Sequence, residues 1–110
     1  MNIQIFGRNK CFDTKKAQRW FKERRVKFQY IDIDRFGMSR GELSSVKNAV
    51  GLAALIEEKD QDYPLLQYLA TDDARFEKLL EDPYLINTPV VRNGKQATVG
   101  YQPDIWKTWE

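Results

Sequence analysis

The sequence predicts an α/β fold: a mixed four-stranded sheet with an enlarged helical insertion between the second and third strands. Three observations predict it. Apolar spacing alternates at Ile3-Gln4-Ile5-Phe6, turns helical from Thr14, and returns to a strand-like run at Phe28-Gln29-Tyr30-Ile31-Asp32-Ile33. An Asn93-Gly94 pair between Val90-Val91-Arg92 and residues 96–99 marks a hairpin. Between these ends lie helical patterns with their own caps.

The first strand meets Gly7, which reads as a turn. In the helix that follows, Ala17, Trp20 and Phe21 share one face, and Lys15, Arg19 and Lys22 another. Aromatic and β-branched residues make 28–33 the second strand. Ser39-Arg40-Gly41-Glu42 is a capping box, in which serine and glutamate side chains each satisfy a free amide of the first turn. The apolar stripe Leu43, Val46, Ala49, Val50 ends at Gly51, a suitable residue just past a helix. The less regular stretch from Leu52 to Ala70 is expected to hold short helices. Thr71 caps another helix, with Asp72 and Asp73 in its first turn, Phe76, Leu79 and Leu80 facing inward, and Pro83 near its end. After the hairpin, Pro103-Asp104 opens a short helix whose Trp106 and Trp109 read as core anchors. A parallel β-α-β unit followed by an antiparallel ribbon is the expected topology. No repeat or linker interrupts it, so one domain over 1–110 is expected, with the insertion at 39–87.

Composition limits the chemistry. The chain has one cysteine and no histidine, which rules out an internal disulfide, Ser-His or Cys-His catalysis and the commonest metal ligand. No metal is expected. No stretch is long and apolar enough for a membrane span, and the N-terminal apolar run is too short for a signal peptide, so a reduced cytoplasmic location is expected. Net charge is only +2, yet residues 1–28 hold nine Lys or Arg against Asp13 and Glu23, while 57–82 hold nine acids against Lys59, Arg75 and Lys78. That polarity reads either as two solvated helix faces or as a field that orients a partner. The basic stripe lacks interleaved exposed aromatics, so nucleic acid is not an expected partner.

Cys11 lies where the first strand hands over to the first helix. A lone cysteine is often an inert small hydrophobe. Here free helix amides and the nearby Arg8, Lys10, Lys15 and Lys16 favour a thiolate, the nucleophilic form. Thr88-Pro89 then places a proline at a strand start, where it cannot donate to the ladder.

The element order resembles the thioredoxin-like (glutaredoxin-like) architecture, in which such a proline follows a cis peptide and packs backbone against the active-site cysteine; an ordinary trans proline is the alternative. The motifs are more specific. Cys-Phe-Asp-Thr-Lys-Lys-Ala at 11–17 is similar to the C-x-x-C/T-(K/R)-K-A opening of the arsenate-reductase family, which includes the Spx-like transcription regulators. Pro-Tyr-Leu-Ile-Asn-Thr-Pro-Val-Val at 83–91 resembles that family's P-x-L-(I/L)-x-R-P-(I/V)-(I/V) run, and Val99-Gly100-Tyr101 its V-G-(Y/F) segment.

The resemblance implies a nucleophilic Cys11, with Arg8, Lys10, Thr14, Lys15, Thr88 and Pro89 as the anion- and thiol-binding surroundings. It implies no bound cofactor, with glutathione as co-substrate and a small thiol or glutaredoxin as partner to an expected monomer. The departures narrow this. Thr88 stands where the family has an arginine before the proline, the Glu57-Glu58 region where it has a second, and Gln102 where it has a third. Threonine and glutamine cannot replace a bidentate, always-charged guanidinium. Thr14 replaces the second cysteine of the redox-sensing regulators. The expected function is therefore a single-cysteine thiol oxidoreductase forming a glutathione-type mixed disulfide, with true arsenate reduction not expected. The alternative is a non-enzymatic Spx-like module that binds a protein partner.

Overall fold

The computed structural model describes residues 2–57, 69 and 71–109. Strand β1 (Ile3–Gly7), helix α1 (Phe12–Glu23) and strand β2 (Phe28–Asp32) open the chain. β1 and β2 pair in parallel, from Ile3 against Phe28 to Gly7 against Asp32, which makes α1 the crossover. Among the described residues four helices follow: α2 (Ile33–Phe36), α3 (Arg40–Val50), α4 (Leu52–Leu55) and α5 (Asp72–Glu81). A 3₁₀ turn at Pro83–Leu85 then leads to β3 (Val90–Asn93) and β4 (Gln96–Val99), and the described chain closes with α6 (Pro103–Trp106) and a 3₁₀ turn at Lys107–Trp109. β3 runs antiparallel to both β1 and β4, giving the mixed order β2-β1-β3-β4 over four strands.

The alternation along β1 and β3 separates two cores. Ile3, Ile5 and Val91 point to one face, where Ala17, Trp20, Phe21 and Trp106 cover them. Phe6 and its register partner Val90 point to the other, beneath Ile33, Leu43, Val46, Leu55, Phe76, Leu79, Leu85 and Ile86. The described residues between β2 and β3 therefore roof the second face. Trp106 is 1% exposed, stands edge-on to Trp20 at 5.4 Å, and donates its indole N–H to Thr98 Oγ1 at 2.8 Å. Trp109 is half-buried against the same cluster.

The Ser39–Glu42 capping box and the Thr71 cap form as read. Elsewhere the structure departs from expectation. α1 begins two residues before Thr14, with Cys11 itself at the N-cap. Ala49 is exposed, so the inward stripe of α3 is carried by Leu43 and Val46, with Val50 partly buried against the same core. In the hairpin, Asn93 pairs with Gln96, so the two loop residues are Gly94 and Lys95. Gly94 takes φ +61 at the first loop position, as a type II′ turn requires, whereas an Asn93-Gly94 loop would have placed it second. α1 ends without glycine: Val26 N–H reaches Phe21 C=O and Arg25 N–H reaches Lys22 C=O, a Schellman closure with Arg25 at φ +57. The short helix expected after Gly51 is present at Leu52–Leu55, and the remainder of that expectation, 58–68 and 70, lies outside the described residues.

Candidate functional site

Cys11 occupies the N-cap of α1 because the chain must turn through Arg8–Cys11 to leave the sheet; Cys11 N–H donates to Arg8 C=O at 3.0 Å, and Lys15 N–H to Cys11 C=O opens the helix. The thiol is partly exposed. Its side chain makes no full cap hydrogen bond, but the Asp13 and Thr14 amides of the first turn lie close enough to favour the thiolate. The Thr88–Pro89 peptide is cis. The thiol donates toward Thr88 C=O at 3.7 Å, which puts the pre-proline residue of the loop after the Pro83–Leu85 turn beside the first helix.

The Cys11 thiol lies below its ordinary value. Burial acts first and pushes it up; the Thr14 hydroxyl, the Thr88 hydroxyl and the Thr14 and Asp13 amides, polar groups beside the sulfur that favour its thiolate, outweigh it. The helix amides thus act as expected, and the two threonine hydroxyls take the part expected of the neighbouring cations. Thr14 is 1% exposed and sits against Gly7, where a Cβ would fall 2.3 Å from its Cγ2. Gly7 belongs to β1, and its backbone φ is not in the left-handed region; space for Thr14 is what demands glycine.

An open cleft of about 700 Å³ surrounds the sulfur, lined by Arg8, Lys10, Cys11, Asp13, Glu57, Tyr84, Asn87 and Thr88. The expected site residues distribute unevenly around it. Arg8, Lys10, Cys11 and Thr88 line the cleft, Thr14 lies behind the sulfur, and Pro89 is buried where the loop enters β3. Lys15 is exposed with its Nζ 5.7 Å from the Phe12 ring and is not part of the lining. Arg92, on β3, donates to Gln4 Oε1, and Gln102 donates to Val99 C=O; neither belongs to the cleft. Lys59 lies outside the described residues.

Arg8 is the best-anchored cation of the site. Its Nε donates to Asp34 Oδ1 at 2.8 Å, one terminal nitrogen to Ile86 C=O at 2.7 Å and Thr88 Oγ1 at 3.3 Å, and the other to Pro83 C=O at 2.7 Å. A guanidinium held at four points has little left to form a bidentate clamp on a ligand. The residues that hold it were not legible in the sequence, because Asp34 follows an unremarkable strand end. Tyr30 was also missed. Its Oη donates to Asn9 Oδ1 at 3.0 Å, and burial followed by the charges of Asp32, Cys11 and Asp34 keeps the phenol above its ordinary value. Among the described residues no group of three His, Cys, Asp or Glu side chains is placed to hold a metal, and no helix is long and apolar enough to cross a membrane.

The model of the ArsC family matches residues 6–109 of the chain. The global transcriptional regulator Spx 2 of Oceanobacillus iheyensis is 28% identical over 110 residues, covering 94% of this chain and 80% of that one. The arsenate reductase structure from Vibrio cholerae superposes with a TM-score of 0.84 at 25% identity, over 96% of this chain and 94% of its own. The glutaredoxin-like NrdH-redoxin of Escherichia coli matches at a TM-score of 0.51 and 21% identity over 100% of this chain and 96% of its own, which places the fold among thioredoxin-like proteins.

Proposed function

This chain belongs to the ArsC family, and on that premise we propose that it is a thiol oxidoreductase working through Cys11 alone. The Cys11 thiolate attacks one sulfur of a substrate disulfide, forming a Cys11–S–S–R bond and releasing the other sulfur as a thiolate that takes a proton from solvent. The thiolate of glutathione, or of a glutaredoxin, then attacks the R sulfur of that mixed disulfide, leaves bonded to R as a new disulfide and releases the Cys11 thiolate. The net step exchanges one disulfide for another, R′–S–S–R and a donor thiolate giving R′–S⁻ and a donor–S–S–R disulfide, and no second cysteine in this chain is needed. The observation that carries this reading is the sulfur itself: partly exposed, at the mouth of a cleft of about 700 Å³, with its thiol lowered by two threonine hydroxyls and two helix amides. That volume suits a tripeptide thiol. Arsenate fits the cleft poorly, because Arg8 is already engaged and Glu57 places a carboxylate in the lining. In this reading the protein is a monomer of one domain in a reducing cytoplasm.

Incubation with glutathione disulfide followed by intact-mass measurement tests it. Wild type is expected to gain one glutathione, to lose it to added glutathione, and to show no arsenate-dependent turnover; Cys11→Ser is expected to gain none. A wild-type alkylation profile indistinguishable from that of a free cysteine would refute the reading.

One observation favours a second reading. Phe12, next to the thiol, is 77% exposed, and an aromatic ring so placed offers a contact to a protein. Together with the likeness to the Spx 2 regulator, it supports a non-enzymatic module that docks a protein partner through α1. Full function of Cys11→Ala in the cell, with loss in Phe12→Ala, would decide for that module.

A further inference from the structure

Thr88 lies against the Cys11 sulfur, whose thiol reaches its carbonyl at 3.7 Å, and the Thr14 and Thr88 hydroxyls, which both favour the thiolate, are held from behind by a single residue. The backbone N–H of Arg8 donates to Thr14 Oγ1 at 3.4 Å, and its guanidinium donates to Thr88 Oγ1 at 3.3 Å. A hydroxyl has one proton and two lone pairs. When a cation occupies a lone pair of Thr88, the proton is left to face the sulfur, and a donor polarised by a charge makes a stronger bond to an anion. The guanidinium in turn is immobilised by Asp34 on α2 and by the carbonyls of Pro83 and Ile86.

Resting on the oxidoreductase reading above, we infer that Arg8 is a positioning residue: it acts on the Cys11 thiolate through Thr88, by orienting that hydroxyl, and not as a clamp on the substrate. Position 88 is where the family's arginine would stand. In this chain the guanidinium of Arg8, just past the end of β1, hydrogen-bonds the threonine that stands there. Other titratable groups share the cleft lining with Cys11, namely Lys10, Asp13, Glu57 and Tyr84, and the Tyr30 phenol on β2 lies near enough to feel the charge of the sulfur. None of them is hydrogen-bonded to Thr88 Oγ1 among the described contacts.

The test is the pH profile of iodoacetamide alkylation at Cys11 in wild type, Arg8→Met, Thr88→Val, the double variant and Asp34→Asn. At about pH 7, Arg8→Met and Thr88→Val are each expected to slow alkylation by roughly three- to tenfold, the scale of one charge-assisted hydrogen bond partly lost. The double variant is expected to fall no more than about twofold below Thr88→Val, because Arg8 has nothing left to act through. Asp34→Asn distinguishes orientation from field. Removing a negative charge near a thiolate would speed alkylation by direct electrostatics, whereas freeing the guanidinium slows it. Faster alkylation in Asp34→Asn, or full multiplicative loss in the double variant, would overturn the inference. Asp34 is about half exposed, so its variant serves even where Arg8→Met does not fold. A wild-type profile already at the free-thiol position would instead remove the oxidoreductase reading beneath it.

Discussion

Replacing Gly7 by alanine should damage both the stability of the protein and the reactivity of its thiol, by a route that can be worked from distances. The added Cβ would lie 2.3 Å from Thr14 Cγ2, 2.7 Å from its Oγ1 and 3.0 Å from its Cβ. Carbon–carbon contacts settle near about 3.5 Å, so Thr14 must retreat by roughly 1.2 Å. It has no free direction: it is 1% exposed, in the first turn of α1, with that helix fixed by Ala17, Trp20 and Phe21 in the core. Overpacking of this kind costs about 1–3 kcal/mol. A domain of this size loses roughly 4–8 °C in Tm per kcal/mol.

The same displacement pulls the Thr14 hydroxyl from Cys11 and from the Arg8 amide, so the alkylation profile of Gly7→Ala should move toward that of an ordinary thiol. Urea denaturation and iodoacetamide titration measure the two effects. Thr14→Ser removes Cγ2, the closest atom, so a Gly7→Ala/Thr14→Ser cycle should show a favourable coupling of about 1 kcal/mol or more. A Gly7→Ala protein within about 0.5 kcal/mol of wild type and with an unchanged thiol profile would refute the close-approach account.

Thr98→Val should cost about 1–3 kcal/mol in denaturant, because it leaves the buried Trp106 indole N–H without its acceptor while keeping the shape of the side chain. Arg25→Gly should stabilise by roughly 0.5–1 kcal/mol, since glycine adopts φ +57 without the Cβ penalty and the Schellman bonds need only backbone. Cys11 titrates lower folded than unfolded, so its contribution to stability is fully present above the unfolded value of about 8.5 and fades as pH falls through the folded one. The stability gap between wild type and Cys11→Ser should therefore widen from acid to alkaline pH, and a gap independent of pH would contradict the lowered thiol.

The sheet and the inward faces of its helices were legible because period-two and helical spacings are properties of short windows, and the Ser39 and Thr71 caps because their partners lie within three residues. Gly7 was legible only as an interruption. Its actual role depends on Thr14 seven positions later, in another element, and no local window records that contact. The hairpin shows the same limit at smaller scale: Asn93-Gly94 announces a turn, but which residue occupies the first loop position follows from the pairing of β3 with β4. The Schellman end of α1 was invisible because Arg25 carries the conformation that sequence reading assigns to glycine. At the site, proximity in sequence pointed to Arg8, Lys10, Lys15 and Lys16 as charges around Cys11. The fold turns Lys15 onto Phe12 and engages Arg8 with Asp34 and three loop oxygens.

That redistribution bears on what the cleft can select. A site built to seize an oxyanion needs donors with free N–H groups aimed into it, since bidentate geometry is what distinguishes arginine from a diffuse positive charge. Here the cleft's guanidinium faces backbone carbonyls, the lining carries Asp13 and Glu57, and Lys10 contributes a charge on a flexible, solvated stem. The sulfur, by contrast, is surrounded by short-range donors that act on the thiolate whatever approaches it. Such a site activates its nucleophile more than it discriminates by charge. Under the proposed reading, selection among disulfides falls to shape and to contacts outside the cleft, where α1 presents exposed Phe12 and the basic face of Lys15, Arg19 and Lys22. Phe12→Ala should accordingly raise KM for a protein disulfide while leaving the turnover of a small one, such as glutathione disulfide, within about twofold. Equal losses on both substrates would place the specificity back inside the cleft.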